Sequence, residues 1–153
     1  MAGSFATGVC VVSVCEPNGQ VSGITINSFL SVSLEPVLVS WSLQNTSSQF
    51  DLWTKAQNFS ISVLAADQRH LAERYAAKPS DPSWVGDFVL SDRGVPRVRG
   101  ALAYLECRHW SLYRAGDHTL IFGEVVALGG SERPLAQGKP LIYFGSEFGE
   151  IKR

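Results

Sequence analysis

The sequence carries almost no net charge. Its 13 Lys and Arg stand against 14 Asp and Glu, leaving −1 at neutral pH. Without a basic excess there is no field to hold nucleic acid or an anionic bilayer, so a small-molecule partner is expected. No apolar run approaches the ~18 residues that a membrane-spanning helix needs. Met1 to Thr7 lacks the basic-then-apolar layout of a secretory signal. Cysteine is scarce: Cys10, Cys15 and Cys107 show no C-x-x-C spacing, which argues against a disulfide framework or a dithiol centre. Read as free buried thiols they suit a reducing cytoplasm. His70, His109 and His118 have no partners at metal-ligand spacing, so no metal site is expected. There is no G-x-S-x-G elbow, no recognisable serine–histidine–acid set and no G-x-G-x-x-G fingerprint. A dinucleotide bound here is not bound in the Rossmann manner.

What the chain has in quantity is strand signal. With 45% hydrophobic and 18% charged residues it reads as soluble and globular, and its 153 residues suit one domain over 1–153. Val9 to Val14 is rich in β-branched residues, Pro17-Asn18-Gly19 is a turn, and Val21 to Ile26 returns as a hairpin partner. Further strands are expected over Pro36–Leu43, Asn58–Leu64, Ala101–Tyr113, Thr119–Leu128 and Gly138–Phe144, with 114–118 as a hairpin connection. Thr46 followed by Gln49 has capping-box spacing, predicting a short helix that carries Phe50 and Trp53. A second helix is predicted over Asp67 to about Ala77, with Leu71 and Tyr75 on one face, followed by a loop over Lys78–Trp84. Many strands and two short helices argue for an antiparallel closed or nearly closed barrel.

Three segments could carry chemistry. At the end of the second strand, Thr25, Asn27 and Ser28 make a polar ledge beside Ile24, Ile26 and Phe29. A flavin ring asks for such a mixture, donors for its carbonyls and flat apolar walls elsewhere; an ordinary strand end has the same composition. Gln44-Asn45-Thr46-Ser47-Ser48 gathers hydroxyls at the expected helix start, where they serve either as a phosphate cradle or as a plain N-cap. Gly116-Asp117-His118 puts a histidine beside a hairpin turn, a position equally ordinary on a surface.

The order of these segments resembles the short-chain flavin reductases, the reductase components of two-component flavin monooxygenases. The likeness is carried by Phe5-Ala-Thr-Gly-Val-Cys-Val-Val12, by Gly23-Ile-Thr-Ile-Asn-Ser-Phe-Leu-Ser-Val-Ser-Leu-Glu-Pro36, by Phe59–Ala65 with Leu71–Ala76, by Gly116–Val125 and by Pro140–Phe144. It implies a mainly β, antiparallel FMN-binding split barrel of Greek-key type, built as a homodimer with each flavin near the subunit interface. It implies that Thr25, Ile26, Asn27 and Ser28 line the isoalloxazine and ribityl chain, with Ser31 and Val32 close by. Ser40, Trp41 and Ser42 would border the ring, Ser47 and Ser48 would hold the phosphate, and Arg74 would be a further anion partner. His118, with Asp117 and Tyr143 as neighbours, would face the nicotinamide.

The implied reaction is hydride transfer from NADH or NADPH to FMN or FAD, with reduced flavin passed to a flavin-dependent monooxygenase or halogenase. Such a reaction needs no covalent nucleophile, because the flavin carries the chemistry. The resemblance departs from the usual pattern in two places. Only Met1 to Ser4 precede the first strand where a helix is common, and Ile26 stands where a smaller alanine is more usual, narrowing the pocket wall. The same barrel also suits a non-enzymatic flavin-binding electron carrier, a pyridoxamine-phosphate oxidase-like enzyme or a plain interaction domain. The second of these would need more basic phosphate ligands than 45–48 offer.

Overall fold

Two strands close in sequence, β3 (Val21–Ile26) and β4 (Leu30–Leu34), form the opposite edges of one seven-stranded sheet. The order is β3-β2-β6-β9-β10-β5-β4, where β2 is Cys10–Cys15, β5 Val37–Gln44, β6 Asn58–Val63, β9 Ala103–Ala115 and β10 His118–Gly130. Laid flat, seven strands would set the edges roughly 29 Å apart at the usual ~4.8 Å spacing. The four steps from Ile26 to Leu30 reach at most about 14 Å. The sheet must therefore curl until these ends of its two edge strands come within that reach, and every pairing in it is antiparallel. This is the split barrel. The computed structural model describes residues 2–77, 81–130 and 138–152.

Side-chain alternation fills the barrel. Cys10, Val12 and Val14 of β2 point inward with Val39, Trp41 and Leu43 of β5, Phe59 and Ile61 of β6, and Ile121 of β10. Helix α1 (Phe50–Lys55) adds Trp53 to this core, and its ring meets Trp41 edge-on at 5.7 Å. The opposite face of β2 is also covered: Val9 and Val11 pack with Leu71, Ala72 and Tyr75 of helix α2 (Arg69–Ala77). A separate three-stranded sheet joins β1 (Thr7–Gly8), β11 (Leu141–Phe144) and β12 (Glu147–Glu150), and a short pair, β7 (Phe88–Leu90) and β8 (Pro96–Val98), lies beside β2 and β6.

The expected hairpin at Pro17-Asn18-Gly19 is present, with Gly19 at φ 87° and its N–H donating to the Glu16 carbonyl. The expected strands are found at 10–15, 21–26, 37–44, 58–63, 103–115, 118–130 and 141–144.

Four expectations change. The first helix is capped at Gln49 and not at Thr46: it begins at Phe50 and Gln49 makes no side-chain cap bond, while 44–50 is a pair of turns closed by Ser47 N–H to Gln44 O and Phe50 N–H to Ser47 O. Leu30–Leu34 is a strand that was not expected, as are the short β7, β8 and β12. Of the expected loop, 78–80 lie outside the described residues and Pro82–Asp87 is a 3-10 turn. Cys15, expected buried, is exposed at the end of β2, while Cys10 and Cys107 are buried. No described helix is long and apolar enough to cross a membrane, and no metal-binding cluster occurs among the described residues.

Candidate active site

Where the barrel's edges approach, residues 27–29 leave a corner, and a cleft of ≈ 520 Å³ opens there. Its floor is β3 from Gly23 to Ile26, continued by Asn27 and Ser28. One side is the end of β5 (Ser42, Leu43, Gln44) with Ser47, Ser48 and Gln49, and the wall behind is Tyr75 and Ala76 of α2. Trp53 and His118 complete the lining. The volume lies within the ~300–1,000 Å³ usual for ligand sites.

Two hydroxyls at the corner have part of their bonding capacity committed. The β4–β5 ladder ends at Leu30 and Ser40, so the Ser42 N–H lies beyond it; Ser28 Oγ accepts that N–H at 3.0 Å. The same bond ties the barrel's corner together, and it leaves the Ser28 hydroxyl proton free to donate. Thr25 Oγ1 donates to the Ala72 carbonyl at 2.7 Å, so its hydroxyl faces a ligand only as an acceptor. Gly23 is a close-approach position: a Cβ there would lie 3.0 Å from Tyr75 Cδ1 and 3.3 Å from Phe88 Cζ. Tyr75 is held from the far side, its hydroxyl donating to Asp87 Oδ2 at 2.7 Å. Burial first, and then this bond, push the Tyr75 phenol up from its ordinary value.

His118 opens β10, directly after the Gly116-Asp117 turn. Its Nδ1 lies 2.7 Å from Asp117 Oδ1. The bond to His118 holds the Asp117 carboxyl below the usual carboxylate range, so it is ionised at neutral pH. An ionised carboxylate only accepts, which makes Nδ1–H the donor and leaves Nε2 as the imidazole's free nitrogen.

The cleft thus brings together Thr25, Ile26, Asn27, Ser28, Ser42, Ser47, Ser48 and His118 of the expected set. The others lie elsewhere in one chain. Ser31 and Val32 sit exposed at a bulge of β4, and Ser40 is buried on β5 between Leu30 and Phe122. The Trp41 side chain is wholly inside the barrel core, so it does not line the cleft. Arg74 is committed to Asp87, Nη1 to Oδ2 at 2.5 Å, and its guanidinium lies over Trp84. Tyr143 belongs to the three-stranded sheet, opposite Thr7 and against Phe148.

Leu43, Gln49, Trp53, Tyr75 and Ala76 line the cleft although nothing in the sequence assigned them to a ligand site, and Gln44 does so from the expected hydroxyl-rich segment. For Trp53 and Tyr75 a signal existed, since each is the large apolar residue on its helix's inner face. Among the described residues the lining contains no Lys or Arg, and its polar side chains are hydroxyls, amides and one imidazole. Apolar Ile24, Ile26 and Trp53 alternating with Thr25, Asn27, Ser28 and Ser42 fit a flat heteroaromatic ring with a polar edge, and the 47–49 loop fits a polyol phosphate tail.

A split barrel with such a cleft at its closing corner is a flavin-binding barrel. The chain belongs to the flavin reductase like domain family, which matches residues 1–152. It is 41% identical over 151 residues to the FMN reductase (NADH) SmoA of Agrobacterium fabrum, an alignment covering 99% of this chain and 83% of that one. Among solved structures it is similar to BorF, the flavin reductase component of a bacterial two-component tryptophan halogenase. That match has a TM-score of 0.88 at 35% identity over 99% of this chain and 94% of that one. It is similar also to the NADH:FAD oxidoreductase of Streptomyces globisporus, solved with NAD and FAD fragments, with a TM-score of 0.88 and 34% identity over 99% and 88% of the two chains.

Proposed function

We propose that residues 1–153 act as one NADH-dependent flavin reductase domain that delivers reduced flavin to a separate flavin-dependent monooxygenase or halogenase. The observation that carries the reading is the single cleft joining the Thr25–Ser28 floor, the Ser47–Ser48 loop and His118. The names of the relatives support NADH as donor and FMN or FAD as acceptor, and the halogenase component supports a partner oxygenase. A reducing cytoplasm suits the three free thiols.

Bound in the cleft, the flavin would supply N5 as the hydride acceptor. The chain's own residues do the rest. Ile24, Ile26 and Trp53 would give the ring an apolar wall and keep water from it, which would strengthen each polar contact inside. Ser28 and Asn27 donate at the ring's edge, Thr25 accepts, and Ser47 and Ser48 offer hydroxyls to the phosphate. His118, its Nδ1 fixed by ionised Asp117, directs Nε2 toward the nicotinamide side. Holding two rings in contact accounts for several kcal/mol of such a barrier.

A homodimer belongs to the same reading. Leu30, Val32 and Leu34 of β4 and Val37 of β5 are all exposed along the sheet edge that begins two residues after Ser28. A second copy seated there would wall the open side of the cleft.

The test is absorbance at 340 nm with purified protein and NADH, with and without FMN or FAD. Flavin-dependent oxidation is expected. In His118→Ala the KM for NADH should rise about tenfold or more while the flavin Kd shifts less than about threefold. Equal losses would sink the His118 assignment. Tight flavin retention with no oxidation would leave the electron-carrier reading instead.

A further inference from the structure

The turn that carries His118 is fastened by a side chain outside the cleft. Gly116 and Asp117 are the two-residue connection between β9 and β10, with Gly116 at φ 64°. Three bonds run from this turn and its flank to Asn45, the residue after β5 on the way to the Ser47–Ser48 loop. The Asn45 N–H donates to the Asp117 carbonyl at 2.9 Å. Asn45 Nδ2 donates to the Gly116 carbonyl at 3.1 Å. The buried Thr119 hydroxyl donates to Asn45 Oδ1 at 2.7 Å.

Both ends of one short carboxamide are therefore used, one on each side of His118. Asparagine is the only side chain of that length with a donor and an acceptor together. The strand register does not need these bonds, since His118 already pairs with Gln44 and Thr119 with Leu43 in the β10–β5 ladder. What they add is the pitch of the turn over the cleft. The Ser47 loop has its own closure, Ser47 N–H to Gln44 O at 3.0 Å, which is independent of the Asn45 side chain.

We propose that Asn45 is a positioning residue that holds His118 at the nicotinamide side of the cleft by clamping residues 116 and 119 around it. The proposal rests on the role assigned to His118 above. Removing the carboxamide lets the turn tilt, and a displacement near 1 Å at a reacting pair is enough to lower turnover by up to about a hundredfold.

The experiment measures KM for NADH, flavin Kd by fluorescence quenching and thermal midpoint in Asn45→Ala, Thr119→Val and the double variant. Asn45→Ala should raise the KM for NADH about tenfold with the flavin Kd within about twofold. It also orphans the buried Thr119 hydroxyl, a structural cost that Thr119→Val removes. The double variant should therefore recover stability without recovering the KM. An unchanged KM in Asn45→Ala, or a KM that recovers along with stability in the double variant, overturns the clamp. His118→Ala separates the two levels: no effect of that change on NADH would topple the underlying reading, whereas an effect there and none in Asn45→Ala removes the clamp alone.

Discussion

At the scale of single residues, the three thiols are chemically distinct. Cys107 is fully enclosed and Cys10 nearly so, and burial pushes both thiols up to about 12. For Cys107 the neighbouring Glu106 adds to the shift. Cys15, at the end of the same strand as Cys10, is open to solvent. A maleimide should label Cys15 alone in the native chain and all three after unfolding; native labelling of Cys107 would contradict the packing. The same burial has a pH consequence. The folded chain keeps these protons to about pH 12, whereas an unfolded thiol releases its proton near 9.0. The stability they contribute is fully present below pH 9 and declines as pH climbs from there toward 12, and Tyr75 works in the same direction. Urea midpoints at about pH 8 and about pH 10.5 should differ, and the difference should shrink in Cys10→Ala/Cys107→Ala.

At the scale of elements, β3 and α2 are fitted to each other through Gly23, and that fit sets the back wall of the cleft. Tyr75 cannot retreat freely, because Trp84 and Phe88 meet its ring edge-on at 5.5 and 5.4 Å and Asp87 holds its hydroxyl. Gly23→Ala should cost about 1–3 kcal/mol in urea unfolding, since the added methyl is overpacked against a pinned ring. A cost within error would mean the ring slides aside. Little of this fit was legible beforehand: Gly23 stood in a recognisable run, but its reason lies in Tyr75 and Phe88, far along the chain. The legible elements were those with a local signature, such as β6 with its period of two and the hairpin at Asn18-Gly19. Strand β4 escaped although the sequence Leu30-Ser-Val-Ser-Leu34 alternates just as cleanly, because it sits between a turn and a proline, is bulged at Val32 and leaves its apolar side chains exposed. The start of α1 was misplaced by three residues, since the Thr46–Gln49 spacing imitates a capping box while Ser47 closes turns instead.

At the scale of the whole molecule, the expected site separates into two groups, and the division has a physical reading. Thr25 to Ser28, Ser42, Ser47, Ser48 and His118 converge within one chain, because the barrel's closure brings the ends of β3, β5 and β10 to one corner. Ser31 and Val32 stay outside, on the strand whose Leu30 and Leu34 are 60% and 84% exposed. Large apolar side chains left exposed on an edge strand are a liability for a lone chain in water, and a second copy is the economical cover for them. In the proposed dimer, Ser31 and Val32 would then belong to the rim shared by both copies, beside the cleft and not in it. Light scattering should give about twice the 16.7 kDa chain mass for the native protein. Leu30→Asp/Leu34→Asp should give the single-chain mass with the barrel's circular dichroism retained, because both side chains already face outward and their loss opens no cavity. If the dimer completes the cleft, that monomer should also lose most of its NADH oxidation while keeping some flavin affinity through Thr25, Ser28 and Ser47. Full activity in a monomeric variant would mean that one chain's corner is sufficient, and that the exposed apolar residues of β4 serve some other contact.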